Sequence, residues 1–153
     1  MTRRVRQITA ADLQAMTALH ALCFPSDHWD ERAMAELLAM PGASGHWVER
    51  EGGGEPLGMM LDLIIANEAE ILTLGVAPAA RRQGIASALL EDLFARAREA
   101  GAGNVGLEVA ADNVAARRLY QQCGFAQTGR RRDYYRRGAG AVDALLFRRA
   151  LLP

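Results

Sequence analysis

Apolar and polar positions alternate along this chain with two different periods. Val5 to Thr9 reads as a short extended entry, and Thr9 followed by Asp12 resembles a helix-capping box. Leu13, Met16, Thr17, Leu19 and His20 then fall at helical spacing until Phe24-Pro25-Ser26-Asp27 breaks the helix. A second short helix is predicted over Asp30–Met40, ended by Pro41-Gly42. Trp47 and Val48 begin strand material. Leu57–Ala66 and Glu70–Val76 are apolar runs joined at Asn67-Glu68, the pattern of an antiparallel hairpin. Beyond Pro78 the period changes. Ile85, Leu89, Leu93 and Ala97 step by four, and Gly101 is placed as a C-cap. A strand over Val105–Ala110, a helix from about Asn113 to Cys123, an extended stretch from Gly124-Phe125 and a closing strand over Ala144–Arg149 complete the pattern. The predicted order is β-α-α-β-β-β-α-β-α-β-β, an α+β domain with a βαβ crossover from the strand at Ile71 to the strand at Val105.

A chain of 153 residues suits one domain, 1–153, and its 50% apolar content is enough for a sizeable core. No apolar run reaches the roughly 18 residues of a membrane span. The opening Met1-Thr2-Arg3-Arg4-Val5-Arg6 lacks a signal-peptide core, so a cytoplasmic protein with no membrane partner is expected. Cys23 and Cys123, the two cysteines, read as free thiols. His20, His28 and His46 show no ligand spacing with them, so no metal is expected.

Charge changes the picture in its distribution, since 18 basic residues balance 18 acidic ones. Every basic residue is arginine. Asp27 to Glu70 carries ten acidic residues against Arg32 and Arg50, whereas Arg117 to Arg149 carries nine arginines against Asp133 and Asp143. Such a split suggests one face for a cation and another for an anion, or two solvated faces. Zero net charge and few stacking aromatics argue against direct nucleic-acid binding through Arg130-Arg131-Arg132.

Candidate chemistry begins at Val76-Ala77-Pro78-Ala79-Ala80-Arg81-Arg82-Gln83-Gly84-Ile85-Ala86, which joins a strand to the long helix. Unpaired N–H groups and partial positive charge at a helix N-terminus can hold a phosphate or pyrophosphate, and Gly84 and Ala86 let it approach the backbone. One glycine is too few for the dinucleotide fingerprint, and no Gly-Lys-Ser/Thr is present for a P-loop. The alternative is an ordinary turn with solvated arginines. A second segment runs from Leu107-Glu108-Val109 through Asn113, Ala115-Ala116 and Leu119-Tyr120 to Gly124-Phe125. With the Arg-Arg-Gln-Gly-Ile-Ala turn, this segment resembles the GNAT superfamily of acetyl-CoA-dependent N-acetyltransferases, over about Ala69 to Phe125. A narrower likeness lies in Gly129-Arg130-Arg131-Arg132-Asp133-Tyr134-Tyr135, Asp143-Ala144 and Cys23-Phe24-Pro25 with Trp29. These resemble the ribosomal-protein alanine N-acetyltransferases of bacteria, the RimI type. His28 and Asp30 beside Trp29, and Arg136 after the tyrosines, depart from that pattern.

The resemblance implies a mixed, mostly antiparallel central sheet flanked by helices, with a splay between its two parallel central strands. It implies acetyl-CoA as co-substrate, held by Leu74, Gly75, Val76, Arg81, Arg82, Gln83, Gly84, Ile85, Ala86, Ser87 and Asn113. It also implies direct transfer to a protein N-terminal α-amine, an N-terminal Ala of a ribosomal protein. Such an amine, with a pKa near ~8, needs a base to remove one proton. Glu108 is the candidate, pointed by strand alternation away from Leu107 and Val109; a structural salt bridge with an arginine is the alternative. Tyr120 is the candidate acid for the departing thiolate, the alternative being a core aromatic. Cys123 has no adjacent base in sequence and reads as a core thiol. Trp29, Tyr134 and Tyr135 are expected to line the acceptor groove, and an acidic rim would draw in a basic peptide. A monomer or weak dimer is expected. Other open readings are a GNAT enzyme acting on a small amine or protein lysine, and a non-catalytic acyl-CoA-binding regulatory domain.

Overall fold

The computed structural model describes residues 2–151; Met1, Leu152 and Pro153, at the two ends of the expected 1–153 domain, lie outside the described residues. The chain runs β1 (Arg3–Gln7), a 3-10 turn (Ala10–Asp12), α1 (Leu13–Cys23), α2 (Glu31–Leu38), β2 (Ala43–Arg50), β3 (Gly58–Ile65) and β4 (Glu68–Val76). After a second 3-10 turn (Pro78–Ala80) come α3 (Ile85–Glu99), β5 (Asn104–Ala110), α4 (Val114–Gln122), β6 (Ala126–Arg137) and β7 (Gly140–Ala150). This is the order that the hydrophobic pattern predicts, and boundaries move by a few residues. The closing strand starts earlier than Ala144 because the β6–β7 hairpin extends through polar residues that carry no apolar signal.

Seven strands form one sheet in the order β1-β2-β3-β4-β5-β7-β6. Every neighbouring pair is antiparallel except β4 and β5, which run parallel. Helices α3 and α4 cover one face, where Met60, Ile71, Leu89, Leu93, Phe94, Val105, Leu107 and Phe147 build the larger core. Helices α1 and α2 cover the other, over Met16, Met34, Trp47, Met59 and Leu61. Burial from both sides explains why β3 reads as an unbroken apolar run.

Local signals set the element ends. The Asp12 carboxylate accepts from the Thr9 backbone N–H at 2.9 Å. Asp30 caps α2, accepting from the Ala33 N–H at 2.8 Å, so this departure from the family pattern keeps an N-cap side chain. Gly101 follows α3 at φ +83°, a left-handed stop that a side chain would strain.

Candidate active site

A break in the sheet lies between its two parallel strands. Strands β4 and β5 pair only over Glu68–Glu70 and Asn104–Gly106. Beyond that, β4 stays with β3 to Val76 while β5 stays with β7 to Ala110. The cause is local to β4. Leu61 pairs with Thr73 and Asp62 with Ile71, so Leu72 is an extra residue, a bulge that bends the strand where the parallel pairing stops. From Leu72 to Val76 one edge of β4 therefore has no strand beside it, and its backbone groups can pair with a ligand. Gly75 on this edge is buried beneath the α1 terminus. A Cβ there would sit 2.8 Å from the Cys23 Cβ and 3.0 Å from Phe24 Cε2. The Cys23-Phe24 pair thus lies directly on the backbone that flanks the opening.

The turn after β4 ends in an uncapped helix. Gly84, at φ +77°, is the N-cap of α3 and offers no side-chain hydrogen bond, and Arg82 is also left-handed at φ +64°. The first-turn N–H groups of Ile85, Ala86 and Ser87 lack intrahelical partners, and no side-chain carboxylate among the described residues pairs with Arg81 or Arg82. Nothing lies within 4 Å of where a Gly84 Cβ would sit, leaving the turn open to a diphosphate. The Ile85 side chain is buried in the core, so only its backbone faces this turn. Arg3, a residue the sequence reading did not single out, donates from Nη1 to the Gln83 carbonyl at 2.6 Å and adds a third cation. Its distance of 80 residues from the turn hides this contact from any local motif.

Across the opening, Glu108 lies on β5 facing the α1–α2 side, opposite to Leu107 and Val109 in the core. Its carboxylate is partly exposed and meets Arg131 Nε at 3.2 Å, so the ion pair foreseen as an alternative does form. Strand β6 bulges beside it: three residues, Arg132-Asp133-Tyr134, stand between partners that flank Asp143 alone. Asp133, at φ +52°, donates its N–H to Asp143 Oδ1 at 2.9 Å and holds the bulge. This throws Tyr134 outward and leaves Tyr135 half-buried, their rings edge to face at 5.1 Å. Arg131 lies over Tyr134 and Arg137 over Tyr135. Burial, with the Glu108 carboxylate and Tyr134 adding to it, raises the Tyr135 phenol. Trp29 is partly buried against the α1–α2 core and stacked on His20, 4.8 Å between centroids. The ion pair of Asp27 with Arg137, 3.8 Å, ties its loop to the β6–β7 hairpin.

Tyr120 is on the other side of the sheet, 6% exposed and edge-on to Phe125 at 5.5 Å. It is thus a core aromatic, yet its hydroxyl takes no hydrogen-bond partner among the described residues. Burial pushes the phenol above its ordinary range, so it keeps its proton at neutral pH. Asn113 stands just outside α4 as its N-cap, accepting from the Ala116 N–H at 3.2 Å, with its amide N–H₂ still free. Burial also raises both thiols, Cys23 and Cys123, which disfavours a thiolate at either.

The charge split along the chain is bridged at two points in the fold. Two ion pairs join the stretches, Asp27 with Arg137 at 3.8 Å and Glu68 with Arg148 at 3.6 Å, while Arg130 and Arg131 pair with Asp143 and Glu108, which lie outside the acidic stretch. Among the described residues no group of His, Cys, Asp and Glu could hold a metal, and no helix is long and apolar enough to cross a membrane.

Residues 13–125 match the acetyltransferase (GNAT) family. The N-alpha-acetyltransferase RimI of Mycobacterium tuberculosis is 38% identical over 147 residues, 93% of this chain and 89% of that protein. The ribosomal protein bS18-alanine N-acetyltransferase of Escherichia coli is 34% identical over 93 residues, 61% of this chain and 63% of that protein. The crystal structure of the ribosomal-protein-S18-alanine N-acetyltransferase from Escherichia coli superposes with a TM-score of 0.90 at 25% identity, covering 99% of this chain and 96% of that one. Arabidopsis thaliana NAA60 in complex with acetyl-CoA shares the fold, with a TM-score of 0.84 at 22% identity over 97% of this chain and 98% of that one.

Proposed function

This chain belongs to the acetyltransferase (GNAT) family and uses acetyl-CoA as co-substrate, and from that premise we propose that it acetylates the N-terminal α-amine of a protein. The observation that supports this reading is the break between β4 and β5, with an uncapped α3 N-terminus following β4 and Glu108 on β5. The likeness to RimI-type enzymes, whose names specify N-alpha or alanine acetylation, supports the N-terminal Ala of a ribosomal protein as acceptor. On this reading the chain acts as a single domain in the cytoplasm.

The residues present suit the co-substrate. Arg81, Arg82 and the N–H groups of Gly84 to Ser87 neutralise and bind the diphosphate, Leu74, Gly75 and Val76 offer strand-edge bonds to the pantetheine arm, and Asn113 offers its amide. Bound acetyl-CoA supplies the acetyl group as a thioester. Glu108 removes one proton from the incoming ammonium, directly or through water, freeing the lone pair that attacks the carbonyl. As the N–C bond forms and the C–S bond breaks, Tyr120 gives its proton to the sulfur. The nitrogen loses a second proton on becoming an amide; this restores Tyr120 through solvent, and the proton on Glu108 is released. Tyr134 and Tyr135 wall the groove beside Glu108, whereas Trp29 supports it from beneath by holding the α1–α2 loop. An acidic rim drawn from Asp27 to Glu70 would attract a basic peptide, an attraction weakened where Asp27 is already paired with Arg137.

The test is the purified chain with acetyl-CoA, offered peptides with N-terminal Ala, lysine peptides with blocked N-termini, and a panel of small amines. CoA release with the first set alone is expected. Turnover on lysine or small amines instead would overturn the acceptor, and cofactor binding without turnover on any would favour a regulatory domain.

A further inference from the structure

One buried titratable group plays no part in the mechanism above. His20 is 2% exposed, between the rings of Phe24 at 4.7 Å and Trp29 at 4.8 Å. An imidazole in such a place costs free energy unless its nitrogens are satisfied, and an aliphatic side chain would fill the space without that cost. Both nitrogens are bonded. The Trp29 backbone N–H donates to Nδ1 at 3.1 Å, so Nδ1 is an acceptor and the proton of the neutral ring sits on Nε2. Nε2 therefore donates to Thr73 Oγ1, 3.1 Å away. Burial, helped by His28, holds the ring neutral with its pKa lowered to about 4, so this tautomer persists at neutral pH.

The consequence falls on Thr73. A threonine hydroxyl has one hydrogen and two lone pairs, and His20 occupies a lone pair, which leaves the hydrogen to be given elsewhere. Among the described residues no acceptor takes it. Thr73 is partly exposed and is the first paired residue after the Leu72 bulge, in the part of β4 that no longer pairs with β5, its hydroxyl on the α1 face beside His20. A pantetheine arm laid from the pyrophosphate turn along Val76, Gly75 and Leu74 would bring its acyl end toward Thr73.

We propose that Thr73 is a further hydrogen-bond donor to the acyl carbonyl oxygen in the β4–β5 opening, and that His20 is the positioning residue that keeps the Thr73 hydroxyl hydrogen directed there. This deepens the acetyltransferase reading and rests on it. The donor strengthens its bond as negative charge grows on the carbonyl oxygen and adds or removes no atom from the transfer.

The experiment compares wild type, Thr73→Val, Thr73→Ser, His20→Leu and the His20→Leu/Thr73→Val double variant by calorimetry with acetyl-CoA and with free CoA, by turnover, and by thermal unfolding. CoA has no acyl carbonyl. Thr73→Val is expected to weaken acetyl-CoA about 5-fold while leaving CoA unchanged, and to lower kcat about 100-fold, with Thr73→Ser restoring most of both. His20→Leu should lower kcat in wild type but by less than about twofold once Val stands at position 73. Equal weakening of both ligands, or kcat within twofold of wild type in Thr73→Val, overturns the donor. Full additivity of the two substitutions, following the loss of thermal stability, overturns the positioning role. If wild type binds neither ligand, the functional reading itself fails, and the Thr73 assignment with it.

Discussion

At the residue scale, the question is whether Glu108 and Tyr120 act on substrate or only hold the fold. The pair of Glu108 with Arg131 is partly exposed on both sides, and such pairs contribute at most about 1 kcal/mol. Glu108→Gln is therefore expected to leave the unfolding midpoint within a few degrees of wild type while lowering kcat by about 100-fold or more. Large loss of stability with little loss of turnover would reassign Glu108 to the salt bridge. Tyr120→Phe keeps the ring packed on Phe125 and removes only the hydroxyl, so kcat should fall about 100-fold at unchanged stability. Turnover within twofold of wild type would remove the acid role. His20 sets a pH dependence of its own. Its folded pKa of about 4 lies below the ordinary 6.5, so between these values the unfolded chain binds a proton that the folded chain refuses. Its contribution to stability is complete above pH 6.5 and is lost as the pH falls toward 4. Urea midpoints measured from pH 7 to 4 should drop more steeply for wild type than for His20→Leu.

At the scale of elements, β4 is the strand on which most of the site depends. Its bulge at Leu72 opens the sheet, and its glycine at position 75 admits Cys23 and Phe24 from the end of α1. A methyl group there meets a rigid ring and a packed thiol, so Gly75→Ala should destabilise the fold by about 1–3 kcal/mol. The same displacement should weaken acetyl-CoA in calorimetry more than Gly52→Ala, a substitution in the β2–β3 turn where a Cβ meets nothing within 4 Å. Strand β6 works in a similar way. Its three-residue bulge at Arg132-Asp133-Tyr134, anchored by Asp143, sets where both tyrosines stand beside Glu108.

At the scale of the whole molecule, a fully buried carboxylate links the sheet to α3. Asp62 on β3 is 0% exposed and accepts from Arg96 Nη1 at 3.0 Å and Nη2 at 2.8 Å, and from Ser44 at 3.2 Å. Arg96 also holds Asp92 at 2.8 Å. Removing one partner of such a pair strands the other without water, so Arg96→Met should cost about 3–5 kcal/mol in denaturant unfolding. Replacement of both by apolar residues of matching volume should recover much of that loss. Because α3 presents its N-terminus to the turn beside the opening, loosening its seat should also weaken acetyl-CoA.

The order of elements, the Thr9–Asp12 capping box, the Gly101 stop and the Arg81–Ala86 turn were legible in the residues because each rests on near neighbours: a period, a cap, a glycine at φ > 0. The strand that carries Glu108 and the helix that carries Tyr120 were legible in the residues, and the roles proposed for the two side chains come from the family pattern. The remaining features depend on partners far apart in sequence. Arg3 reaches Gln83, His20 reaches Thr73, and Arg131 reaches Glu108 only once the sheet is assembled. The bulges in β4 and β6 are registers between strands, and register exists only when a second strand is present. For the same reason the two ion pairs that bridge the acidic and basic stretches, Asp27 with Arg137 and Glu68 with Arg148, could not be read from the sequence. Charge along a chain is a one-dimensional fact, whereas ion pairing follows distances that only the folded chain sets.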